Sequence, residues 1–295
     1  MGDDYTVDLV LPKGSLEEPT FILFKEANLE VIRRDREYNP IIDDPRIGRV
    51  KILRPQEIPK YIELGYFDIG ITGRDWVVES GADVIEVAEL PYSKKTKNKV
   101  RIVIAVAEDS GINDVKDIKP GSRVTTEYPN ITKRYFDNLN IPIQLFFSYG
   151  ASEAKVPEIM DVVVDLVETG STLERNRLKI IGEIMTSYTV LIANKNSIKD
   201  DSKREEIDDI KTLLLGVVEG RENVYLVMNV PDDKLNEIMN ILPAMKKPTI
   251  SQLYDSGYYS VQTVVSKREI NVLIPKLKQS GAEDILELNI NKIVR

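Results

Sequence analysis

The sequence predicts an α/β protein with two similar lobes and a separate C-terminal domain. In residues 1–220, apolar runs of strand length alternate with amphipathic segments of helix length, which is typical of α/β folds. The segments FDIGITGRDW and MDVVVDLVETGSTL each run from Asp through an apolar strand to Thr-Gly and a helix start, as expected of two related lobes. Residues 221–295 predict the order β-α-β-β-α-β, the ferredoxin-like arrangement.

The first predicted strand, TVDLVLP, ends at Lys13 and Gly14. Ser15 and Glu18 have the spacing of a capping box, which predicts that a helix begins at Ser15. Lys13 and Gly14 therefore lie at a strand-to-helix turn, where free backbone N–H groups favour an anion. The sequence leaves open the simpler interpretation that Gly14 only makes the turn and Lys13 is solvated.

Further element ends follow from Pro and Gly. Arg54 ends the strand KILRP, and Gly73 ends the strand FDIGITG, after which Asp75 opens a helix. In TEYPNITKRYF, Pro129 ends a strand and Asn130 is predicted to cap the next helix. Because strands and helices alternate, we expect parallel sheets.

These elements group into three regions. The first lobe is predicted to comprise residues 1–98 and 180–220, and the second lobe residues 99–179. The segment KIIGEIMTSYTVLIAN contains two strand-like runs that return the chain to the first lobe. Residues 221–295 form the C-terminal domain.

The composition restricts the possible chemistry. The chain has 295 residues, a net charge of -8, no Cys and no His, so disulfides, common zinc sites, Cys nucleophiles and Ser-His-Asp triads are excluded. The negative charge disfavours nucleic acid and anionic membranes as partners. No apolar run has membrane-spanning length, and the N-terminus lacks signal-peptide features, so we expect a cytoplasmic protein.

The segment VVVDLVETGSTLERN has the pattern of a phosphate site. A buried strand delivers its end to a loop of small hydroxyl residues, Thr169, Gly170, Ser171 and Thr172, and a helix follows. No Lys follows the loop as in a Walker A motif. Asp165 and Glu168, the acids before the loop, would repel phosphate unless they bind ribose hydroxyls or Mg²⁺. A sugar phosphate is therefore predicted. A plain strand-turn-helix with a hydroxyl cap remains an open interpretation.

Longer motifs carry a family resemblance. LPKGSLEEP, RPQEIPKY, FDIGITGRDW, TEYPNITKRYF, DLVETGSTLERN and VLIAN occur in the order found in ATP phosphoribosyltransferases. VVVDLVETGST is similar to the phosphoribosyl-pyrophosphate loop, with Val164 in place of the first acid of the usual pair. MNVP, MKKPTISQL, TVV and IPKLKQSGAEDILEL resemble the long form of the family. Ser15 departs from the Arg that is common there, and Arg177 departs from a common Gly.

The resemblance implies a two-lobed catalytic part like that of periplasmic solute-binding proteins. It implies transfer of a phosphoribosyl group from phosphoribosyl pyrophosphate to N1 of ATP, the first step of histidine biosynthesis, with release of pyrophosphate and with Mg²⁺ as cofactor. Adenine N1 has a free lone pair, so no strong general base is needed. The reaction needs in-line positioning and stabilisation of the leaving pyrophosphate instead.

Site residues follow from the matched motifs. The loop residues named above are expected to hold the 5′-phosphate. Asp165 and Glu168 are expected to bind the ribose hydroxyls, with Asp165 also a candidate Mg²⁺ ligand. Lys13, beside Gly14, and Arg54 are expected to meet pyrophosphate or triphosphate.

Three further residues, Asp75, Tyr128 and Asn130, are expected to line the space between the lobes. The sequence leaves open that each is a cap or part of a packed turn.

The long-form resemblance also implies regulation. Histidine is expected to bind the C-terminal domain at Asn229, Met245, Thr249 and near Asp284, and AMP is expected to inhibit as well. Asn229 stands where other members can carry Asp. Dimers that assemble into hexamers are implied.

Two rival functions remain at this point: a two-lobed binding module without chemistry, and a phosphoribosyltransferase that uses another base. Pyrophosphate release that depends on the substrate offered distinguishes all three.

Overall fold

The structure is a computed structural model that describes residues 6–34, 37–92, 99–243 and 247–295. The strands are β1 (Val7–Pro12), β2 (Val31–Ile32), β3 (Ile41–Ile42), β4 (Ile47–Leu53), β5 (Ile69–Gly73), β6 (Ile85–Leu90), β7 (Val100–Ala107), β8 (Ser122–Thr126), β9 (Ile143–Phe147), β10 (Val162–Val167), β11 (Leu178–Ser187), β12 (Thr189–Ala193), β13 (Asn223–Pro231), β14 (Thr249–Gln252), β15 (Tyr258–Ser266) and β16 (Glu283–Asn289). The helices are α1 (Glu17–Glu26), α2 (Ile58–Glu63), α3 (Arg74–Ser80), α4 (Pro129–Asn138), α5 (Ser171–Arg175), α6 (Lys195–Lys199), α7 (Asp201–Glu222), α8 (Leu235–Ile241) and α9 (Lys267–Gln279).

The chain divides into two compact units. The first comprises residues 1–22 and 29–211 and contains two five-stranded sheets, one in each lobe. The second comprises residues 23–28 and 212–295. The second unit thus begins within α7, upstream of the predicted boundary at residue 221.

The two lobes share one topology. The first sheet has the order β4-β1-β5-β12-β6, and the second has β9-β8-β10-β7-β11 when written in the matching direction. In each sheet the first three strands are parallel, and the last two pair antiparallel with their neighbours. Thr72 and Gly73 end β5, and Thr169 and Gly170 follow β10, the matching central strand. The predicted two-lobed α/β fold is therefore confirmed.

The expectation of parallel sheets was only partly right, because both sheets are mixed. Each sheet receives its antiparallel strands where the chain crosses between the lobes, because a strand that arrives directly from the other lobe needs no crossover helix. β11 pairs with β7 throughout its length, and β12 pairs with β5 and β6. The return to the first lobe therefore lies near Tyr188, eight residues beyond the predicted start at 180.

Both lobes bury apolar strand residues under helices. In the second lobe, Ile102, Ile104 and Val106 face one side of the sheet, while Val103 and Ala105 face the other. This alternation explains why IVIAVA, residues 102–107, is continuously apolar: the strand is covered on both sides. The carboxyl ends of the parallel strands are left to loops, which is where ligands bind in such sheets.

Two predicted helix caps differ in the structure. Tyr128, not Asn130, is the N-cap of α4. α1 begins at Glu17, so Ser15 precedes the helix instead of capping it. Gly220 lies inside α7. A Cβ there would come within 2.9 Å of the backbone oxygens of Ile290 and Asn291, so glycine permits a close backbone approach.

The C-terminal unit has the predicted ferredoxin-like sheet, with antiparallel strands in the order β14-β15-β13-β16. Val224, Leu226, Met228 and Val230 alternate along β13 and pack in a core with residues of α8 and α9. The intervening residues of β13 face the opposite side of the sheet. Within the described part of the chain, no helix is both long and apolar enough to cross a bilayer.

Candidate active site

The loop after β10 is the predicted phosphate site. Gly170 has φ +81°, in the left-handed region that favours glycine, and it is the N-cap of α5. Thr169 Oγ1 donates to Ser171 Oγ over 3.1 Å. A cavity of about 370 Å³ is lined by Glu153 and residues 165–173. The structure therefore brings Thr169, Gly170, Ser171 and Thr172 to one cavity.

Asp165 lines the same cavity. Its carboxylate accepts hydrogen bonds from Ser152 Oγ at 2.6 Å and from the backbone N–H of Leu166 at 2.7 Å. Burial raises the pKa of Asp165 above its ordinary value. Burial also raises the pKa of Glu127, and the negative charge of Asp165 adds to this effect. The described residues contain no group of three His, Cys, Asp or Glu side chains arranged to hold a metal.

Lys13 and Arg54 directly follow the carboxyl ends of the neighbouring parallel strands β1 and β4. They lie side by side because Pro12 pairs with Leu53. Lys13 Nζ donates to Tyr38 Oη over 2.6 Å, and this hydrogen bond lowers the pKa of Tyr38. The Arg54 side chain is exposed. Neither cation is among the residues that line this cavity or the cavity between the lobes. Gly14, with φ +91°, makes the turn after β1.

A second cavity, of about 250 Å³, lies between the two lobes. Leu166 and Glu168 line both cavities, so the two are adjacent. The remaining lining residues of the second cavity are Ser15, Leu16, Pro55, Gly73, Asp75, Trp76, Pro91, Tyr92, Lys99, Val100, Ser187, Tyr188 and Thr189. Most of this surface is aromatic, apolar or hydroxyl-bearing. Among these described residues Lys99 is the only cation.

Asp75 joins the two lobes. The carboxylate is 2% exposed and accepts hydrogen bonds from Ser187 Oγ at 2.6 Å and from Tyr128 Oη at 2.9 Å. Trp76 stacks on Tyr128 with ring centroids 4.4 Å apart. Burial raises the pKa of Asp75 and raises that of Tyr128 well above its ordinary value. Asp75 also lines the second cavity, so it serves both the lobe contact and the site.

Asn130 lies in the same lobe contact but away from the cavities. Its backbone N–H and that of Ile131 donate to the two carboxylate oxygens of Glu79, each over 2.9 Å. Asn130 Nδ2 donates to the backbone oxygen of Glu79 at 3.0 Å. A carboxylate of the first lobe thus caps the helix of the second, and Asn130 is one of the residues whose backbone N–H it accepts, not the capping residue.

Four contributing residues escaped the sequence reasoning: Glu79, Ser152, Ser187 and Lys99. Glu79, Ser152 and Ser187 act through hydrogen bonds to residues far away in the sequence, and such partners leave no local spacing signal. Lys99 precedes the strongly β-branched strand β7, and its sequence environment resembles that of any strand-flanking lysine.

The predicted effector residues gather in the C-terminal unit. Asn229 Nδ2 donates to Asp284 Oδ2 over 2.9 Å, and Asp284 has the positive φ of +46°. Thr249 is exposed on edge strand β14 and pairs with Gln262, which in turn pairs with Val227 on β13. Thr249 and Asn229 therefore share the helix-free face of the sheet. Met245 lies outside the described residues.

Comparison with known proteins gives consistent matches. Residues 54–216 match the family model described as ATP phosphoribosyltransferase, and residues 220–292 match the model described as the HisG C-terminal domain. The chain is 46% identical over 286 residues to the ATP phosphoribosyltransferase of Pelotomaculum thermopropionicum, covering 97% of this chain and 98% of the relative. It is 44% identical over 291 residues to that of Thermodesulfovibrio yellowstonii, covering 99% of each.

A solved structure also matches. The ATP phosphoribosyl transferase (HisG:HisZ) complex from Thermotoga maritima is similar with a TM-score of 0.63 at 28% identity. The match covers 72% of this chain and 99% of the other.

Proposed function

The chain belongs to the ATP phosphoribosyltransferase family, in the long form with a C-terminal domain, and from this premise we propose which residues bind its substrates. The enzyme transfers the 5-phosphoribosyl group of phosphoribosyl pyrophosphate to N1 of ATP and releases pyrophosphate, the first step of histidine biosynthesis. Because both substrates are cytoplasmic metabolites, we place the reaction in the cytoplasm.

The proposed phosphoribosyl site rests mainly on the loop from Thr169 to Thr172. It follows the central strand of a mixed sheet, offers hydroxyls and backbone N–H groups, and lines a cavity of about 370 Å³. These donors suit a 5′-phosphate. Asp165 and Glu168 line the same cavity and suit the ribose hydroxyls, since carboxylates accept hydrogen bonds from such donors.

The adjacent cavity between the lobes suits the adenine ring. Trp76, Tyr188 and Leu166 give it flat and apolar surface, and its volume is about 250 Å³. Because Leu166 and Glu168 line both cavities, a base in one and a ribose in the other are neighbours. N1 can then face the anomeric carbon in line with the leaving pyrophosphate, and this orientation is the main contribution the protein makes.

Lys13, Arg54 and Mg²⁺ are proposed to neutralise pyrophosphate and triphosphate. Mg²⁺ commonly takes one or two carboxylates together with substrate phosphates, and Asp165 and Glu168 fit that limited role. When bound, Mg²⁺ neutralises part of the charge on the leaving group. Lys13 and Arg54 stand together at the ends of β1 and β4, outside the cavity linings, where a polyphosphate that extends from the cavity would meet them.

Replacement of Arg54 tests this contact. Arg54→Ala is expected to lower kcat/KM. The expected loss of transition-state stabilisation is about one to three kcal/mol, the scale of a hydrogen bond between charged groups. Steady-state kinetics with each substrate varied measures the effect, and Arg204→Ala on exposed α7 is the matched control. Activity equal to that of the control would mean that Arg54 only ends a strand.

The function itself is tested with purified protein, ATP, phosphoribosyl pyrophosphate and Mg²⁺. Release of pyrophosphate and formation of the N1-phosphoribosyl product are expected, with no turnover when GTP or a free base replaces ATP. A binding module would release no pyrophosphate. A phosphoribosyltransferase with another acceptor would release it only with that acceptor.

Regulation is proposed to involve two sites, the catalytic cavities and the C-terminal unit. AMP retains the adenine and one phosphate, so it can compete for the catalytic cavities. Histidine is proposed to bind the C-terminal unit around Asn229, Thr249 and Asp284, with Met245 as a further expected contact. Leu286 and Leu288 are 56% and 47% exposed on the helix-free sheet face, which supports association into dimers and hexamers.

Histidine binding is tested at Thr249. Its side chain is exposed on β14, so replacement leaves the core intact. Thr249→Val keeps the shape and removes the hydroxyl, so we expect histidine inhibition to weaken while uninhibited activity is retained. Calorimetry with histidine, alongside activity assays, measures this. If histidine fails to bind the unaltered protein, the regulatory proposal is wrong; if it binds both equally, only the Thr249 contact is lost.

A further inference from the structure

The cavity between the lobes has an unbalanced lining. Its described charged residues are the carboxylates of Asp75 and Glu168 and the ammonium group of Lys99. Lys13 and Arg54, which the sequence singles out, are absent from this lining. A polyphosphate that extends from such a cavity loses water and lies near two carboxylates, so a cation in the lining makes its binding more favourable.

Lys99 is placed to supply that charge. It directly precedes β7, and its Nζ lies 4.6 Å from the ring centroid of Tyr188, itself a lining residue. Lys99 also forms an ion pair with Glu89 on β6, with Lys99 Nζ 3.1 Å from Glu89 Oε1. The ring contact keeps the ammonium group beside the cavity without consuming its hydrogen-bond donors.

The ion pair with Glu89 is easily exchanged. The side chains of Lys99 and Glu89 are 53% and 40% exposed, and exposed pairs of this kind contribute little because water screens them. A phosphate group carries more negative charge than a carboxylate and offers more acceptor oxygens. Exchange of Glu89 for phosphate oxygens therefore costs little and places the ammonium charge of Lys99 against the polyphosphate.

We propose that Lys99 contacts substrate and binds the polyphosphate that extends from the cavity between the lobes, exchanging its ion pair with Glu89 for phosphate oxygens. The inference rests on the proposed function, in which that cavity receives the nucleotide. Both the triphosphate of ATP and the pyrophosphate of the second substrate have the required chemistry. The experiment distinguishes them.

Three variants test the contact in the full chain. Lys99→Met keeps the aliphatic stem and removes the charge. Glu89→Gln removes the competing carboxylate. Lys116→Met, on an exposed turn of the same lobe, is the control for loss of one positive charge. Calorimetry measures binding of ATP, AMP and phosphoribosyl pyrophosphate in Mg²⁺ buffer, so the result does not depend on turnover.

Lys99→Met is expected to weaken one polyphosphate ligand about ten- to a hundredfold, the range for a lost hydrogen bond between charged groups, and to leave AMP within about twofold. Weakened ATP binding assigns Lys99 to the triphosphate; weakened phosphoribosyl pyrophosphate binding assigns it to the pyrophosphate. Glu89→Gln is expected to tighten the same ligand or leave it unchanged, and the double variant should match Lys99→Met.

Two results would overturn the proposal. One is that Lys99→Met binds every ligand as the Lys116→Met control does. The other is that AMP weakens as much as ATP, which places Lys99 away from the polyphosphate. Turnover by the unaltered protein is measured separately, so failure of the proposed function, seen as absent pyrophosphate release, is distinct from failure of the Lys99 contact.

Discussion

A Gly170→Val variant is expected to lose about a hundredfold or more in kcat/KM, mainly through a raised KM for phosphoribosyl pyrophosphate. Gly170 has φ +81°, a conformation that a β-branched residue adopts only with strain of about 1–3 kcal/mol. Relief of that strain moves the backbone N–H groups of the loop, and a shift of about 1 Å in a positioning group can cost a hundredfold. Steady-state kinetics measures the effect.

The structure identifies the cause as backbone conformation and not crowding. A Cβ at Gly170 would lie 3.6 Å from Ile180 Cδ1, an ordinary contact. Gly170→Asn should therefore be much milder than Gly170→Val, because Asn tolerates the left-handed region. Gly121, with φ +84° and open space around its Cβ position, precedes β8 at the opposite end of the sheet. Gly121→Val is thus a control for strain alone, and equal kinetic losses in both Val variants would refute the phosphate assignment.

An Asp75→Ala variant is expected to lose both stability and activity. The substitution removes the acceptor of two buried hydroxyls, those of Tyr128 (3% exposed) and Ser187 (0% exposed). Each stranded hydroxyl costs about 1–3 kcal/mol. Because these groups join the two lobes, activity should fall even where the protein remains folded. Urea unfolding and kinetics below the transition measure the two effects, and wild-type values in both would show that the lobes are held elsewhere.

The pH dependence of Asp75 gives an independent check. Burial raises the pKa of Asp75 in the folded state, so the folded state binds its proton more tightly than the unfolded state does. The free energy of unfolding contributed by this group therefore rises as the pH falls from neutrality through the raised pKa toward the ordinary value. Asp75→Asn removes this titration and keeps hydrogen-bond capacity. Relative to Asp75→Asn, the unaltered protein should gain stability on acidification. A difference in the free energy of unfolding that does not change with pH would contradict the raised pKa of buried Asp75.

Local sequence determined many of the elements and the loop that lines one of the two proposed substrate cavities. The apolar run before Thr169 and the small hydroxyl residues after it depend only on neighbouring residues, so strand, loop and helix start were predictable. The same holds for the β-α-β-β-α-β order, and the long motifs identified the family. The absence of His and Cys excluded whole classes of chemistry without any structure.

Only the tertiary structure determined which residues far apart in the sequence contact each other. Asp75, Tyr128 and Ser187 meet because the chain crosses between two lobes of equal topology, and Glu79 caps a helix of the other lobe. The antiparallel strands also follow from those crossings. Lys99 enters the site only because the chain crosses there from one lobe to the other. Such contacts depend on the relative placement of elements far apart in sequence, and side-chain spacing along the chain carries no record of that placement.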